Sequence, residues 1–281
     1  GAFQTEKVVK AIMKNDYSIF TAVPTIFFSL IEKLETMKGK DLIILKEKLR
    51  RMRLMMSGSS ALASEIHKKW TKLTGQILLE RYGMTEIGMA IANPLIGRRK
   101  SGFVGVPLPK VKIKLIDENQ TLIKKEKVPG EIICKGPQVF LEYWNKPQLT
   151  KDSFKGGWFK TGDIAQLEEG YYKILGRKSI DVINSGGIKI SALEIENLLL
   201  KHRYIKECSV IGIPNKKWGE VVVAILVTEK DKSLTLKELK DWSKKRISSY
   251  KIPKKIKILK NLPKNSLGKV IKKDLKTNFQ S

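Results

Sequence analysis

Prolines and glycines divide this chain into three textures, and the division limits the folds open to it. Across residues 1–100, segments with apolar residues at helical spacing alternate with short buried runs. Val8, Val9, Ile12 and Met13 predict a helix over Thr5 to Lys14, and Ser18 to Pro24 reads as a strand ended by proline. Arg53 to Met56 predicts a second strand, Ser57 to Ser60 a loop, Ser64 to Leu73 a helix and Ile77 to Tyr82 a third strand. Residues 101–176 change to short β-rich runs punctuated by Pro107, Pro109, Pro129-Gly130, Gly136-Pro137 and Gly156-Gly157, the spacing of a small β subdomain. Within it Val111 to Ile116 alternates apolar and basic residues, as a half-solvated strand does. Residues 177–281 predict an α+β domain. Ser191 with Glu194, and Thr235 with Glu238, are capping-box pairs ahead of Ile195, Leu198 and Leu199 and of Leu239, Trp242 and Ile247. Ser209 to Ile213 and Val221 to Thr228 supply buried strands between those helices.

With 281 residues the chain can bury a substantial core and has room for more than one domain. No run approaches the roughly 20 apolar residues that span a bilayer, so no stable membrane insertion is expected. Cys134 and Cys208 lie far apart without CxxC spacing, which points to two small buried residues and neither a zinc site nor a disulfide framework. The net charge of +27 could serve nucleic acid, anionic membrane or anionic metabolites. The lysines are spread through every segment with no interleaved aromatic stripe, so the expectation is a lysine-rich surface and no nucleic-acid partner.

Four strings carry chemistry. Glu80-Arg81-Tyr82-Gly83-Met84-Thr85-Glu86 joins an aromatic, a glycine, a hydroxyl and a carboxylate, the groups of a magnesium–nucleotide pocket. It is followed by Trp158-Phe159-Lys160-Thr161-Gly162-Asp163, by Gly176-Arg177 leading into Ser185-Gly186-Gly187-Ile188-Lys189, and by Asn265-Ser266-Leu267-Gly268-Lys269. Singly, each string also reads as a turn, a strand end or a surface ion pair. In this order they resemble the adenylate-forming superfamily of acyl-CoA synthetases, luciferases and peptide-synthetase adenylation domains. Leu78 to Met89 and Ser191-Ala192-Leu193-Glu194 look most like the mitochondrial malonyl-CoA synthetases.

The resemblance implies the C-terminal portion of an α/β plus α+β enzyme: a partial large domain (1–100), a β-rich subdomain (101–176) and a mobile C-terminal domain (177–281). It implies an ATP-dependent ligase that makes an acyl-adenylate and passes the acyl group to coenzyme A, with Mg2+ as cofactor. Tyr82 would pack on adenine beside Gly58 and Ser59, Thr85 would bond the α-phosphate, and Glu86 would hold magnesium. Asp163 and Arg177 would reach the ribose, and Lys269 would bridge the carboxylate substrate and α-phosphate. Ser179 stands at the family's hinge position, usually Lys or Asp. Gly186 and Gly187 would leave room for the pantetheine arm.

Arg81 stands where many relatives have a small or apolar residue. Its guanidinium could pair with the distal carboxylate of malonate or methylmalonate, or with Glu80 or solvent; His67 and Lys68 are further candidates. The family's phosphate loop ending in Pro-Lys-Gly has no counterpart here, so little or no complete activity is expected of this chain alone. A medium- or long-chain fatty acid–CoA ligase, or a non-catalytic nucleotide- or CoA-binding module, are the alternatives. By the same resemblance the mitochondrial matrix is the expected compartment, with the cytoplasm as alternative.

Overall fold

The computed structural model describes residues 3–265 and 268–280. Ser266 and Leu267 of the fourth string lie outside the described residues. The chain divides into two units, the first running to Thr161 and including Ala165–Ile174, the second comprising Gly162–Ile164 and the chain from Leu175 onward.

In the first unit, α1 (Thr5–Lys14) buries Val9 and Ile12 on one face, at the spacing the sequence shows. Strands β1 (Ile19–Ala22), β2 (Leu54–Ser57) and β3 (Leu79–Met84) are parallel neighbours. Parallel strands need crossover connections. Helices α2 (Pro24–Thr36) and α3 (Gly39–Arg51) supply the first and α4 (Ser64–Thr74) the second. Their core is sealed by Phe27 against Trp70, edge to face at 5.0 Å. Strands β4 (Gly88–Ala92) and β5 (Val106–Pro107) extend the sheet antiparallel, giving the order β1-β2-β3-β4-β5.

A second sheet is built from β6 (Lys112–Ile116), β7 (Gly130–Lys135), β8 (Phe154–Lys155), β9 (Trp158–Glu168) and β10 (Tyr171–Arg177), with α5 (Pro147–Ser153) ahead of β8. Lys112 and Lys114 on β6 are exposed, as its alternation predicts. Ile132, Cys134, Phe159 and Ala165 from this sheet pack with Ile87 and Ile91 from the β3–β4 region. Burial pushes the Cys134 thiol up to about 11.

The second unit is a sheet of β11 (Val182–Ser185), β12 (Ile188–Ser191), β13 (Ile205–Asn215), β14 (Gly219–Thr228) and β15 (Lys255–Ile258), with α6 (Ala192–Leu199), α7 (Leu236–Lys244) and α8 (Lys272–Gln280). Residues of β14 alternate between two cores. Val222, Ala224 and Leu226 meet Ile195, Leu199 and Leu239, while Val223 and Ile225 meet Leu262 and Leu275. A strand covered on both faces is apolar without interruption, which is why Val221 to Val227 shows no polar residue. Thr235 and Glu238 close a full capping box on α7. Ile247 falls beyond that helix, although it packs against the same core. Ser191 accepts from the Glu194 N–H, but the Glu194 carboxylate turns to Lys251 at 2.7 Å, so only half of that box forms. Among the described residues no helix is long and apolar enough to cross a membrane.

The buried Ser191 hydroxyl also donates to the Leu175 carbonyl at 2.6 Å. Ser191→Ala removes a cap and strips that acceptor of this donor, so it is expected to cost about 1–2 kcal/mol in urea unfolding. No measurable change would contradict both roles.

Candidate functional site

The C-terminal ends of β2 and β3 bring two of the predicted segments side by side. Gly58 and Ser59 follow β2, and Ser59 turns the chain with φ 68°. Gly58 is buried beneath the Arg81 side chain, which a Cβ at that position would strike. Arg81, Tyr82 and Gly83 are half-buried on β3, and Thr85 stands exposed in the tight turn to β4. Glu86 in the same turn is half-buried and held from two sides. Its backbone carbonyl accepts the Phe140 N–H at 2.8 Å, and its Oε1 accepts the Tyr143 hydroxyl at 2.9 Å.

Successive residues on a strand face opposite ways, and β3 uses this to separate two charges. Glu80 points into the interior, where its carboxylate accepts the Gly102 N–H at 2.8 Å and lies 3.3 Å from His67 Nδ1. Arg81 points the other way, and its Nε is buried with no hydrogen-bond partner among the described residues. The pairing of Arg81 with Glu80 that the sequence allows does not form. His67 lies beside Glu80 with neither ring nitrogen hydrogen-bonded among the described residues, and Lys68 is an exposed neighbour of Glu65.

In the second unit Asp163 is buried and accepts from Arg177 Nε at 3.1 Å. Ser179 is exposed in a turn closed by the Ile180 and Asp181 N–H groups on the Arg177 carbonyl. Gly186 and Gly187 form the two-residue turn between β11 and β12 with φ 58° and 78°, values that favour glycine. Lys189 follows it, exposed. Lys269 is half-buried in a loop that Asn265 closes, its N–H donating to Asn265 Oδ1 at 2.9 Å.

Two residues not singled out from the sequence belong with these groups. Tyr143 orients Glu86 across a separation of 57 residues, which no local pattern reveals. Trp218, 47% exposed, lies over Gly186, whose N–H donates to the Trp218 carbonyl at 2.8 Å. An exposed tryptophan ahead of Gly219 at a strand entry was its signal. No group of three or more His, Cys, Asp or Glu capable of holding a metal occurs among the described residues.

The model of the AMP-binding enzyme family matches residues 2–144, and that of the AMP-binding enzyme C-terminal domain matches residues 194–269. The chain belongs to the AMP-binding enzymes. It is similar to a malonate–CoA ligase of Arabidopsis thaliana, 45% identical over 277 residues that cover 94% of this chain and 45% of the relative. A mitochondrial malonate–CoA ligase of Homo sapiens is 40% identical over 289 residues, 93% of this chain and 50% of the relative. Among solved structures it resembles ATP-bound MatB from Rhodopseudomonas palustris, with TM-score 0.89, 33% identity and coverage of 99% of this chain and 54% of that one. The chain spans about half the length of the relatives it matches.

Burial pushes the Glu80 carboxyl up, against the opposing pull of His67 and the Gly102 N–H. A carboxyl raised in the folded state contributes stability below its unfolded pKa, about 4.3, and loses it as pH rises through the folded value. Glu80→Gln removes that loss. In urea unfolding the variant should therefore gain on the parent as pH rises above about 4.3. A gap that moves the other way would contradict the placement.

Proposed function

We propose that this chain supplies the adenylate-handling and thioester-forming part of an ATP-dependent acid–CoA ligase whose acid is malonate or methylmalonate. The observation that carries the reading is the meeting of Gly58-Ser59 with the Arg81–Glu86 segment in one unit of a family member. The half-buried Tyr82 ring offers a face for adenine beside the Gly58-Ser59 turn. The exposed Thr85 hydroxyl serves as donor to the α-phosphate. Asp163, an acceptor already steadied by Arg177, suits the two ribose hydroxyls. Magnesium takes oxygen ligands and needs one or two carboxylates beside nucleotide phosphates. Glu86, fixed by Tyr143, matches that donor chemistry and would hold the ion, which when bound offsets phosphate charge.

In the first half-reaction a carboxylate oxygen attacks the α-phosphorus, the bond to pyrophosphate breaks, and a mixed anhydride with AMP forms. Two anions must approach, so a cation at the reacting oxygens lowers the barrier. Lys269 is assigned that role. In the second, the CoA thiol attacks the acyl carbon and AMP leaves. The Gly186-Gly187 turn, with Trp218 beside it, offers a narrow edge for the pantetheine arm, and Ser179 is the pivot between the two half-reactions.

Arg81 is the acid-selecting residue in this reading. Glu80 does not consume its guanidinium, and Gly58 leaves the guanidinium its space. A fork of N–H donors suits the second carboxylate of a malonate better than it suits an alkyl tail. Relatives named mitochondrial support the matrix as the compartment.

The test is a chimera joining the amino-terminal half of the Arabidopsis relative to this chain, assayed by ATP–pyrophosphate exchange with malonate, methylmalonate, acetate and octanoate. Malonate or methylmalonate should support the fastest exchange; a preference for octanoate would contradict the acid, and no exchange with any acid would favour a binding module. Lys269→Ala should lower exchange about 100-fold or more, with thioester formation from supplied malonyl-adenylate largely kept. Equal losses in both half-reactions would contradict the role of Lys269.

A further inference from the structure

An ammonium group withdrawn from water persists only where charge compensates it. Lys272, the first residue of α8, is such a group. Its side chain is 10% exposed, and its Nζ lies 2.6 Å from Asp181 Oδ1 and 2.8 Å from Glu196 Oε1. Both acids are anchored by further bonds. Asp181 Oδ2 accepts the Arg177 N–H at 3.0 Å, and the Asp181 carbonyl accepts the Ala192 N–H at 2.8 Å. Glu196 Oε1 also accepts the Val210 N–H at 2.7 Å. Gly176 has φ 123°, and a Cβ there would run into the Asp181 side chain, so the chain is built to let Asp181 sit close. One buried cation thereby joins the turn after β10, helix α6, strand β13 and helix α8.

The direction of titration agrees with this geometry. Desolvation alone would pull the Lys272 ammonium down, yet Glu196 and Asp181 together raise it. Burial pushes the Glu196 carboxyl up, with Lys272 as the main opposing influence.

What makes the bridge more than a brace is its place in sequence. Lys269 precedes Lys272 in a loop held by the Gly268 N–H on the Asn265 carbonyl, by the Lys264–Val270 bridge and by the Ile271 N–H on the Pro263 carbonyl. These bonds shape the loop, while Lys264 pairs with Glu207 on β13 and Val270 packs on the core of Leu262 and Leu275. Lys272 ties it to Arg177–Asp181, the segment containing Ser179.

We propose that Lys272 is a positioning residue for the adenylation step: through Asp181 and Glu196 it fixes the Lys269 loop to the Arg177–Asp181 segment, so that the two move as one piece. This rests on the reading of Lys269 and Ser179 given above. Removing the ammonium frees the loop from the pivot, and Lys269 then spends less time at the reacting oxygens. The second half-reaction, which does not use Lys269, is spared.

The experiment has two arms. In the chain itself, hydrogen exchange is followed at the Lys269, Ile271, Ile180 and Asp181 amides in Lys272→Met and Lys272→Arg. Lys272→Met should speed exchange at both pairs together while β13–β14 amides stay protected, and Lys272→Arg should restore protection. In the chimera, Lys272→Met should lower pyrophosphate exchange about tenfold or more, with thioester formation from supplied malonyl-adenylate within about twofold of the parent and Lys272→Arg again restoring it. If Lys272→Met opens β13–β14, Lys272→Met with Glu196→Gln keeps the parent's local net charge and takes its place with the same expectation. Unchanged exchange at Lys269 and Ile271, or equal loss of both half-reactions in a folded variant, would overturn the proposal. Lys269→Ala run alongside separates the readings: if it leaves adenylation intact the assignment of Lys269 fails, whereas the exchange result still judges the bridge.

Discussion

At Gly83 the backbones of β3 and β4 approach so closely that a Cβ would overlap the Gly88 carbonyl oxygen. The strand register shifts between Tyr82 and Gly83 at that point, and Gly88 completes the reversal with φ 55°. Because the turn is so tight, Ile87 reaches the core while Thr85, two residues earlier, stays in solvent. The apolar anchor at Ile87 fixes a polar tip, and Phe140 and Tyr143 then hold Glu86 from the side. Hydroxyl, carboxylate and aromatic ring are displayed together because a glycine lets the chain turn there.

Charge is handled in two ways. Most of the lysines behind the net charge of +27 are solvated, and their ion pairs on the surface contribute little. Where charge is withdrawn from water most of it is matched: Asp163 by Arg177 and Lys272 by two acids, while Glu80 accepts a backbone N–H and its carboxyl is pushed up by burial. The Arg81 Nε is buried without such a match among the described residues, which fits the role proposed for it.

Elements whose apolar residues keep a helical period or run unbroken were legible from the sequence. Helix α1 has the bounds its spacing predicts, and β14 appears as the uninterrupted apolar run that becomes a doubly covered strand. Helices α2 and α3 were not read from the sequence. Phe27, Leu30, Ile31 and Leu34 of α2 are all buried, and so broad an apolar face blurs a helical period. Ile247 extends the apolar pattern of α7 past the point where the helix ends.

The candidate site was legible as strings because its groups lie close together in sequence, as in Arg81 to Glu86 and Gly186-Gly187. The supports of those groups were not. Tyr143 reaches Glu86 across 57 residues and Lys272 reaches Asp181 across 91, and such pairs exist only after folding. That Glu80 and Arg81 would part to opposite faces follows from a strand reading of that segment. That Glu80 would find His67 on α4 does not.

Recognition of an acyl-adenylate by this chain, as proposed, can be read from backbone amide chemical shifts during titration with a non-hydrolysable malonyl-adenylate analogue. Saturable shifts at Gly58, Tyr82, Thr85 and Asp163 that persist when salt is raised are expected. Shifts confined to exposed lysine-rich segments and abolished by salt would contradict it.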